Sequence, residues 1–261
     1  MLLDLTEEAC AYNLDLPTPL NLPEHERLAA IETWKARMLN EHVSARVFAA
    51  IIGQMMSAGL SASKQEAVAG MIQDELRHGR QCAAVVHALG GQPVVDLPAL
   101  ASVPEHRDVP PLEGVLRNIL SISCLSETVA VSLITAEREQ AGPEPLQRVL
   151  KQILADEVQH ARFGWALLEE VHESLDASLK ASLSDYLVYA FAHLRAHELA
   201  HLPLNARPSD EAVAYGVCDG EDARTLFFQT VEEIIIPRLE SFGFSAQLAW
   251  QASYKLEEET S

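Results

Sequence analysis

The sequence predicts an all-α protein built on a bundle of four long helices, with further helices after it. Two observations carry this prediction. Apolar residues recur every three or four positions through four long segments, which is the periodicity of a helix with one buried face. Each of these segments also places a glutamate, alone or with a histidine, on its apolar face. The four helices are therefore expected to enclose a polar site.

The first two segments are predicted to form an antiparallel hairpin. Glu41 lies on the apolar stripe of the first segment, and Glu75 and His78 lie on that of the second. The midpoint between Glu41 and Glu75 is Ala58, beside Gly59 in a short break between the stripes. A turn at this break would bring the two glutamates level, about 17 residues or roughly 25 Å from the turn.

The next two segments predict a second hairpin. Glu127 interrupts an otherwise apolar run, and Glu157 and His160 fill two gaps in the apolar stripe of the fourth segment. The midpoint between Glu127 and Glu157 is Gly142. A turn there would place these two glutamates at the same height in the hairpin, about 15 residues or roughly 22 Å from the turn. The segment Gly91–Pro110 between the hairpins is long enough to run the length of the bundle. Two antiparallel hairpins joined by one long crossover are expected.

The polar residues of the four stripes form one pattern, which reads Glu, Glu-x-x-His, Glu, Glu-x-x-His. They are Glu41, Glu75, His78, Glu127, Glu157 and His160. Buried carboxylates are costly and repel one another unless cations compensate them. A four-helix bundle holds a pair of metal ions with this ligand set. The sequence therefore predicts a two-metal site in which Glu75 and Glu157 bridge the metals, Glu41 and Glu127 are terminal, and each metal has one histidine.

Four further residues are expected close to this site. Asp74 and Asp156 each directly precede a Glu-x-x-His motif. Ligating histidines commonly donate their second N–H to a carboxylate, so each Asp is expected to serve the histidine of the opposite hairpin, or else to be an ordinary polar neighbour. Cys82 and Cys124 lie one helical turn from a ligand. Both are interpreted as small buried hydrophobic residues near the metals, with no catalytic role.

With these motifs the chain resembles the ferritin-like carboxylate-bridged dimetal superfamily, over roughly residues 23 to 175. That group includes ferritins, rubrerythrins, ribonucleotide reductase small subunits, acyl-carrier desaturases and multicomponent monooxygenases. The Asp74-Glu75-Leu76-Arg77-His78 motif looks like that of the oxygen-activating branch. The run from Asp156 to Trp165 is similar to stand-alone ferritin-like oxygenases. Among these, the aryl-amine N-oxygenase type has an extra histidine where this chain has Ile153.

The resemblance implies an oxidase or oxygenase that activates O2 to oxidise a small organic substrate. It implies two iron ions, with a manganese/iron pair as the alternative, and an external electron donor as partner; a homodimer is left open. The main alternative function is iron handling or peroxide detoxification of the ferritin or rubrerythrin kind. Against a rubrerythrin, the four cysteines form no C-x-x-C pair that could hold a rubredoxin-type iron centre.

The predicted organisation is an N-terminal arm (1–22), the ferritin-like bundle (23–175) and a helical extension packed on it (176–261). Within the extension, a helix is expected at about 176–202, a loop at 203–220, and helices near 221–240 and 245–256, broken by Pro237 and Gly243.

The first helix of the extension carries a second metal-binding signature. Its His197-Glu198-Leu199-Ala200-His201 run matches the zinc-protease pattern H-E-x-x-H. A zinc protease is a remote alternative, because no third ligand or neighbouring strand supports it and the six buried residues would stay unexplained. His193, His197 and His201 are instead expected on a polar face that packs against the mouth of the bundle or is exposed to solvent, with an additional metal ligand as the lesser alternative. The motif at Glu169 and His172 is likewise interpreted as surface.

The composition excludes some partners. The net charge of −19 argues against nucleic acid and anionic membranes as binding surfaces. The N-terminus lacks the basic region of a signal peptide, and the apolar run Ile119–Ala136 is interrupted by Glu127 and is expected to be too short for a membrane span. Four widely spaced cysteines suit a reducing compartment. A cytoplasmic protein is expected.

Overall fold

The computed structural model describes residues 1–18, 20–100, 102–202, 204 and 207–258. The all-α class is confirmed, since helices account for most of these residues. The elements of the first part of the chain are β1 (Leu2–Asp4), α1 (Thr6–Tyr12), α2 (Glu24–Ser57), α3 (Ala62–Ala88), β2 (Val94–Asp96), α4 (Pro111–Ile119), a π-helical segment π1 (Leu120–Ser126), α5 (Glu127–Gln140) and α6 (Glu144–Val171).

Two pairs of long helices lie where the sequence predicts hairpins. Helix α2 packs along α3, and α5 packs along α6. The first turn contains Gly59 at a φ of +70°, a conformation that glycine adopts without steric cost. The second turn spans residues 141–143, where the Gly142 amide donates to the Ala214 carbonyl at 3.0 Å. Both turns fall at the predicted midpoints.

The segments before α2 and between the pairs contain a small sheet that the sequence analysis did not predict. Strand β2 lies in the crossover after α3 and pairs antiparallel with β1, with Leu3 opposite Val95. Helix α1 packs on α3. The N-terminal segment is therefore fastened to the crossover by backbone hydrogen bonds.

Helix α4, π1 and α5 form one continuous helical stretch, Pro111–Gln140. By length and composition alone it could cross a membrane. The expectation that the apolar run is too short for a span is therefore wrong, because the helix extends beyond Ile119–Ala136 at both ends. Core helices of soluble proteins pass the same test, so length decides nothing about a membrane here.

The C-terminal part continues with helices as far as residue 258. They are α7 (Ala177–His201), α8 (Asp210–Ala214), α9 (Gly220–Gln229), a second π-helical segment π2 (Thr230–Ile235), α10 (Ile236–Ser241) and α11 (Ala246–Glu258). The predicted break at Pro237 is wrong. Pro237 lies in the first turn of α10 directly after π2, where a missing backbone N–H is tolerated. Gly243, at a φ of +88°, does follow a helix end.

The apolar interior consists of two clusters separated along the long helices. Phe48 of α2 and Trp165 of α6 belong to one cluster. Met38 of α2 and Ile153 of α6 belong to the other. The glutamates and histidines of the predicted site lie between these positions on both helices. A polar layer therefore separates two apolar cores.

We predict that Gly164→Ala destabilises the protein by about 1–3 kcal/mol, because a packed core resists an added methyl group. A Cβ at Gly164 would lie 2.5 Å from Ser123 Cβ and 3.0 Å from Cys124 Sγ, where α6 touches π1. Urea unfolding monitored by circular dichroism measures the change.

The matched control for this prediction is Gly53→Ala, within α2. Nothing lies within 4 Å of a Cβ at Gly53, so this variant should gain about 0.5–1 kcal/mol from helix propensity. Equal effects of the two substitutions would contradict the close packing of α6 on π1.

Candidate metal centre

The six predicted ligands converge in the structure from four different helical segments. Helix α2 contributes Glu41, α3 contributes Glu75 and His78, the first residue of α5 is Glu127, and α6 contributes Glu157 and His160. All six are buried, with at most 7% of any of them exposed. The convergence is a property of the structure; the binding of metal by these residues remains a prediction.

The six side chains form two overlapping groups of possible metal ligands. The members of the first group are Glu41, Glu75, His78 and Glu157, and those of the second are Glu75, Glu127, Glu157 and His160. Within each group, one ligand atom from every residue lies within 4.8 Å of the others. Glu75 and Glu157 belong to both groups, so each of them could contact a cation in either group.

Each histidine points one ring nitrogen into the cluster and the other out of it. The Nδ1 atom of His78 lies 3.3 Å from a Glu157 oxygen and 3.4 Å from a Glu41 oxygen. The Nδ1 atom of His160 lies 3.0 Å from Glu157 and 3.1 Å from Glu75. Both Nδ1 atoms are therefore placed to coordinate a cation held by the carboxylates.

The outward nitrogens meet the two aspartates across the hairpins. His78 Nε2 lies 3.1 Å from Asp156 Oδ2, and His160 Nε2 lies 3.3 Å from Asp74 Oδ2. Such contacts fix the tautomer and the ring orientation of a ligating histidine. The structure thus places each Asp beside the histidine of the other motif.

One arginine, which the sequence analysis did not assign a role, ties these aspartates together. Arg77 Nη2 donates to Asp74 Oδ1 at 2.6 Å and to Asp156 Oδ2 at 2.8 Å. Gln152 also donates to Asp156, at 2.9 Å. The signal for Arg77 was present in the sequence, since it stands three residues after Asp74 on the same helix, at a spacing that allows side-chain pairing.

The carboxylates have strongly shifted pKa values. Burial raises the pKa of Glu75 and of Glu127 well above the usual range, and the nearby charge of Glu157 raises both further. Burial acts in the same direction on Glu157, but the neighbouring imidazoles of His160 and His78 outweigh it and hold its pKa well below the usual range. The pKa values of neighbouring carboxyl groups move apart in this way because like charges that share a buried site disfavour one another.

The histidines shift in the direction that favours their charged form. Burial alone would lower the pKa of His78, but the carboxylates of Glu157 and Glu41 raise it to about 11. The pKa of His160 is raised to about 9, mainly by Glu157 against the effect of burial. Positive charge at the histidines therefore balances the carboxylates when no cation does.

Two atoms of the cluster test whether a cation fits there. His78 Nδ1 and Glu75 Oε1 are buried and face charged groups of the cluster, but neither atom makes a hydrogen bond of good geometry within the described part of the chain. Buried polar atoms without partners are rare and call for an explanation. A cation between them would supply the missing partner. Carboxylate oxygens with imidazole nitrogens form a donor set that suits iron and manganese, so the residues fit the predicted metals.

The backbone before Glu127 has an unusual form that the sequence analysis missed. The amide of Glu127 donates to the carbonyl of Ile122, five residues back, at the end of π1. Such π-helical insertions are frequent at functional sites. The insertion changes the register between the apolar stripe of α4 and that of α5, and it places Glu127 at the junction. Hydrophobic periodicity at 3.6 residues carries no signal for it.

The two cysteines near the ligands are buried thiols. Burial raises the pKa of Cys82, and the charge of Glu41 adds to this effect. Burial also raises the pKa of Cys124, whose sulfur lies at the close approach to Gly164. Neither belongs to the two ligand groups found among the described residues. Both are neutral at physiological pH, in agreement with a packing role.

The histidines of α7 form a separate feature on the surface. His193, His197 and His201 are exposed, and the rings of His197 and His201 lie with centroids 4.4 Å apart. Glu198 is half-buried. Within the described residues, none of these side chains belongs to a group of three or more potential ligands, and the only sheet, β1–β2, involves neither α7 nor its neighbours.

Comparison with known proteins does not indicate a function, so a function has to be inferred from the observations above. No protein-family model matches the chain, and no curated protein matches it significantly. What is shown is a helical protein with a buried cluster of glutamates and histidines that could bind metal.

We predict that metal binding releases protons and becomes tighter as pH rises. At neutral pH, His78 and His160, with pKa values of about 11 and about 9, carry protons that a cation must displace. The affinity for Mn2+ should therefore increase from about pH 6 to about pH 8. Calorimetric titration in buffers of different ionisation enthalpy counts the protons.

The control for this measurement is His172→Ala, which removes an imidazole at the C-terminal end of α6 that donates to the Glu169 carbonyl, outside the cluster. It should leave the number of released protons unchanged. An affinity that is independent of pH, with no proton release, would show that the pKa values of the two cluster histidines are not raised.

Proposed function

We propose that this protein is a non-haem dimetal oxidase or oxygenase, with two iron ions as the default pair, that activates O2 to oxidise a small organic substrate. The observation that carries the proposal is the overlap of the two ligand groups at Glu75 and Glu157. A single-metal site would need no second group.

The arrangement of the helices supports a ferritin-like bundle. Two antiparallel hairpins, α2–α3 and α5–α6, are joined by one long crossover. In ferritin-like dimetal proteins, two helices supply a single Glu and two supply Glu-x-x-His. Here α2 and the π1–α5 junction supply the single glutamates, and α3 and α6 supply the pairs.

The residues of the cluster would have different roles in holding the metals. Glu75 and Glu157, which both ligand groups share, would bridge the metals, Glu41 and Glu127 would each complete one side, and one histidine would serve each metal. When bound, a pair of iron ions supplies the electrons for O2 reduction and the oxidising power toward an organic molecule. Repeated turnover then requires an external electron donor.

The surroundings of the site support chemistry that needs protection from water. The two apolar cores enclose the polar layer from both ends, and the exclusion of water suppresses side reactions of reactive species. The histidines are held from outside by Asp74 and Asp156, so their Nδ1 atoms stay turned toward the glutamates and would be available to a metal. All four cysteines are free thiols, and we place the protein in the reducing cytoplasm on that ground.

Iron handling of the ferritin kind would use the same ligands. A cleft of about 360 Å³ between α5 and α6 favours the oxidation of a small molecule instead. Thr128 and Val158, which directly follow two of the ligands, line this cleft. Its volume falls at the lower end of the range for small-molecule sites.

We predict that the native chain binds about two metal ions, the number that this ligand set holds in a four-helix bundle. Glu127→Ala should lower this toward about one, because Glu127 belongs to the second ligand group only. His160→Ala should abolish O2 consumption by the reduced, iron-loaded protein. Metal analysis by mass spectrometry and an oxygen electrode provide the two measurements.

Matched controls are available within the same helix and in α7. Glu169→Ala and His172→Ala alter a Glu-x-x-His motif of α6 that lies outside the cluster, and Glu198→Ala alters the protease-like motif. All three should keep both metals and the O2 reaction. Full two-metal binding by Glu127→Ala, or a single zinc lost on substitution of His197, would refute the proposed function.

A further inference from the structure

The cleft between α5 and α6 lies directly beside the ligand cluster. Val131 stands one helical turn after Glu127, and Ala161 stands one turn after Glu157, so each shares a helix face with a ligand. Both line the cleft. Because α5 and α6 run antiparallel, Val131 lies on one side of the level of Glu127 and Glu157 along the bundle, and Ala161 lies on the other side. The cleft therefore spans the level of the candidate metal centre.

The inner wall of this cleft is apolar and well packed. Trp165 is only 2% exposed and Ala161 only 8%. The indole N–H of Trp165 donates to Thr128 Oγ1 at 3.0 Å, which fixes the ring across the two helices. Val131 and Val158 are half-buried on either side. A ligand in the cleft would meet the hydrocarbon of Val131, Val158 and Ala161, since Arg238 already lies over the Trp165 ring.

The rim of the cleft carries two guanidinium groups. Arg162 of α6 and Arg238 of α10 are exposed and line the cleft. Neither forms an ion pair with a carboxylate of the described residues. The guanidinium of Arg238 lies 4.5 Å from the centroid of the Trp165 ring, and such stacking holds an arginine in place while its N–H edges stay available.

The charge of the rim contrasts with that of the chain. The protein has a net charge of −19, whereas the residues that line this cleft include two arginines and no carboxylate. Positive charge at the mouth of a cleft attracts anionic ligands and raises their local concentration. Guanidinium groups match carboxylates in geometry, with parallel N–H···O bonds.

We propose that this cleft binds a small organic acid, with its carboxylate on Arg162 and Arg238 and its apolar part against Val131, Val158 and Ala161. In that orientation the carboxylate stays at the rim, and the hydrocarbon lies against Val158, which directly follows Glu157, and Val131, one helical turn after Glu127. The inference rests on the proposed function only in treating this acid as the substrate; the binding itself is independent of the metals.

The test is calorimetric titration of the full chain with hexanoate, hexanamide and hexyl phosphate. Hexanoate should bind, hexanamide should bind at least about tenfold more weakly, and Arg162→Gln or Arg238→Gln should each weaken hexanoate at least about tenfold. The control Arg138→Gln, at an exposed arginine of α5 away from the cleft, should leave hexanoate binding unchanged. Ala161→Leu should block binding by filling the cleft, with folding checked by circular dichroism.

Three results would overturn this inference. They are no hexanoate binding at millimolar concentrations, equal binding of hexanoate and hexanamide, and tighter binding of hexyl phosphate than of hexanoate. Metal content is measured on the same samples. Two bound metals without hexanoate binding would refute the acid site and leave the proposed function standing. Hexanoate binding that depends on the arginines, in a chain that holds no metals, would support the acid site and refute the proposed function.

Discussion

The structure depends on one constraint: four carboxylates and two imidazoles are buried as a layer between two apolar cores. Carboxylates at this spacing repel one another, and their burial costs free energy unless positive charge compensates them. Within the chain, the compensation comes from His78 and His160, whose pKa values are raised by the glutamates. Cations in the same places would neutralise more of the carboxylate charge, and the histidines would then carry fewer protons. The helix lengths, the two turns and the crossover all serve to bring these six side chains to one height.

The network around the layer couples the two hairpins. Arg77 contacts Asp74 of its own helix and Asp156 of the other hairpin, and each aspartate contacts the histidine opposite. The orientation of both imidazoles is thus set from outside the ligand cluster by residues that are partly exposed. Displacement of one hairpin relative to the other would disturb both histidines at once, so packing between the hairpins and ligand geometry are linked.

Much of the site could be predicted from the sequence, because a charged residue on an apolar helical stripe is conspicuous and the turns fix the heights of such residues. Glu41 and Glu127 were found in this way.

The π1 segment could not be predicted, since it changes the hydrogen-bond register without changing composition. The β1–β2 pairing was missed because it joins three-residue strands far apart in the chain. Pro237 was misjudged as a helix break because the preceding π2 segment carries no recognisable pattern. The cleft depends on which side chains line it across α5, α6 and α10, and periodicity along one helix does not reveal that.

The central claim is that one buried cluster holds two metal ions that share two carboxylates. Anomalous X-ray diffraction from crystals grown with ferrous iron, collected on both sides of the iron absorption edge, tests it most directly. Two iron peaks are expected between α2, α3, α5 and α6, each beside one histidine, with Glu75 and Glu157 in contact with both. A single peak, or peaks only at the exposed histidines of α7, would contradict it.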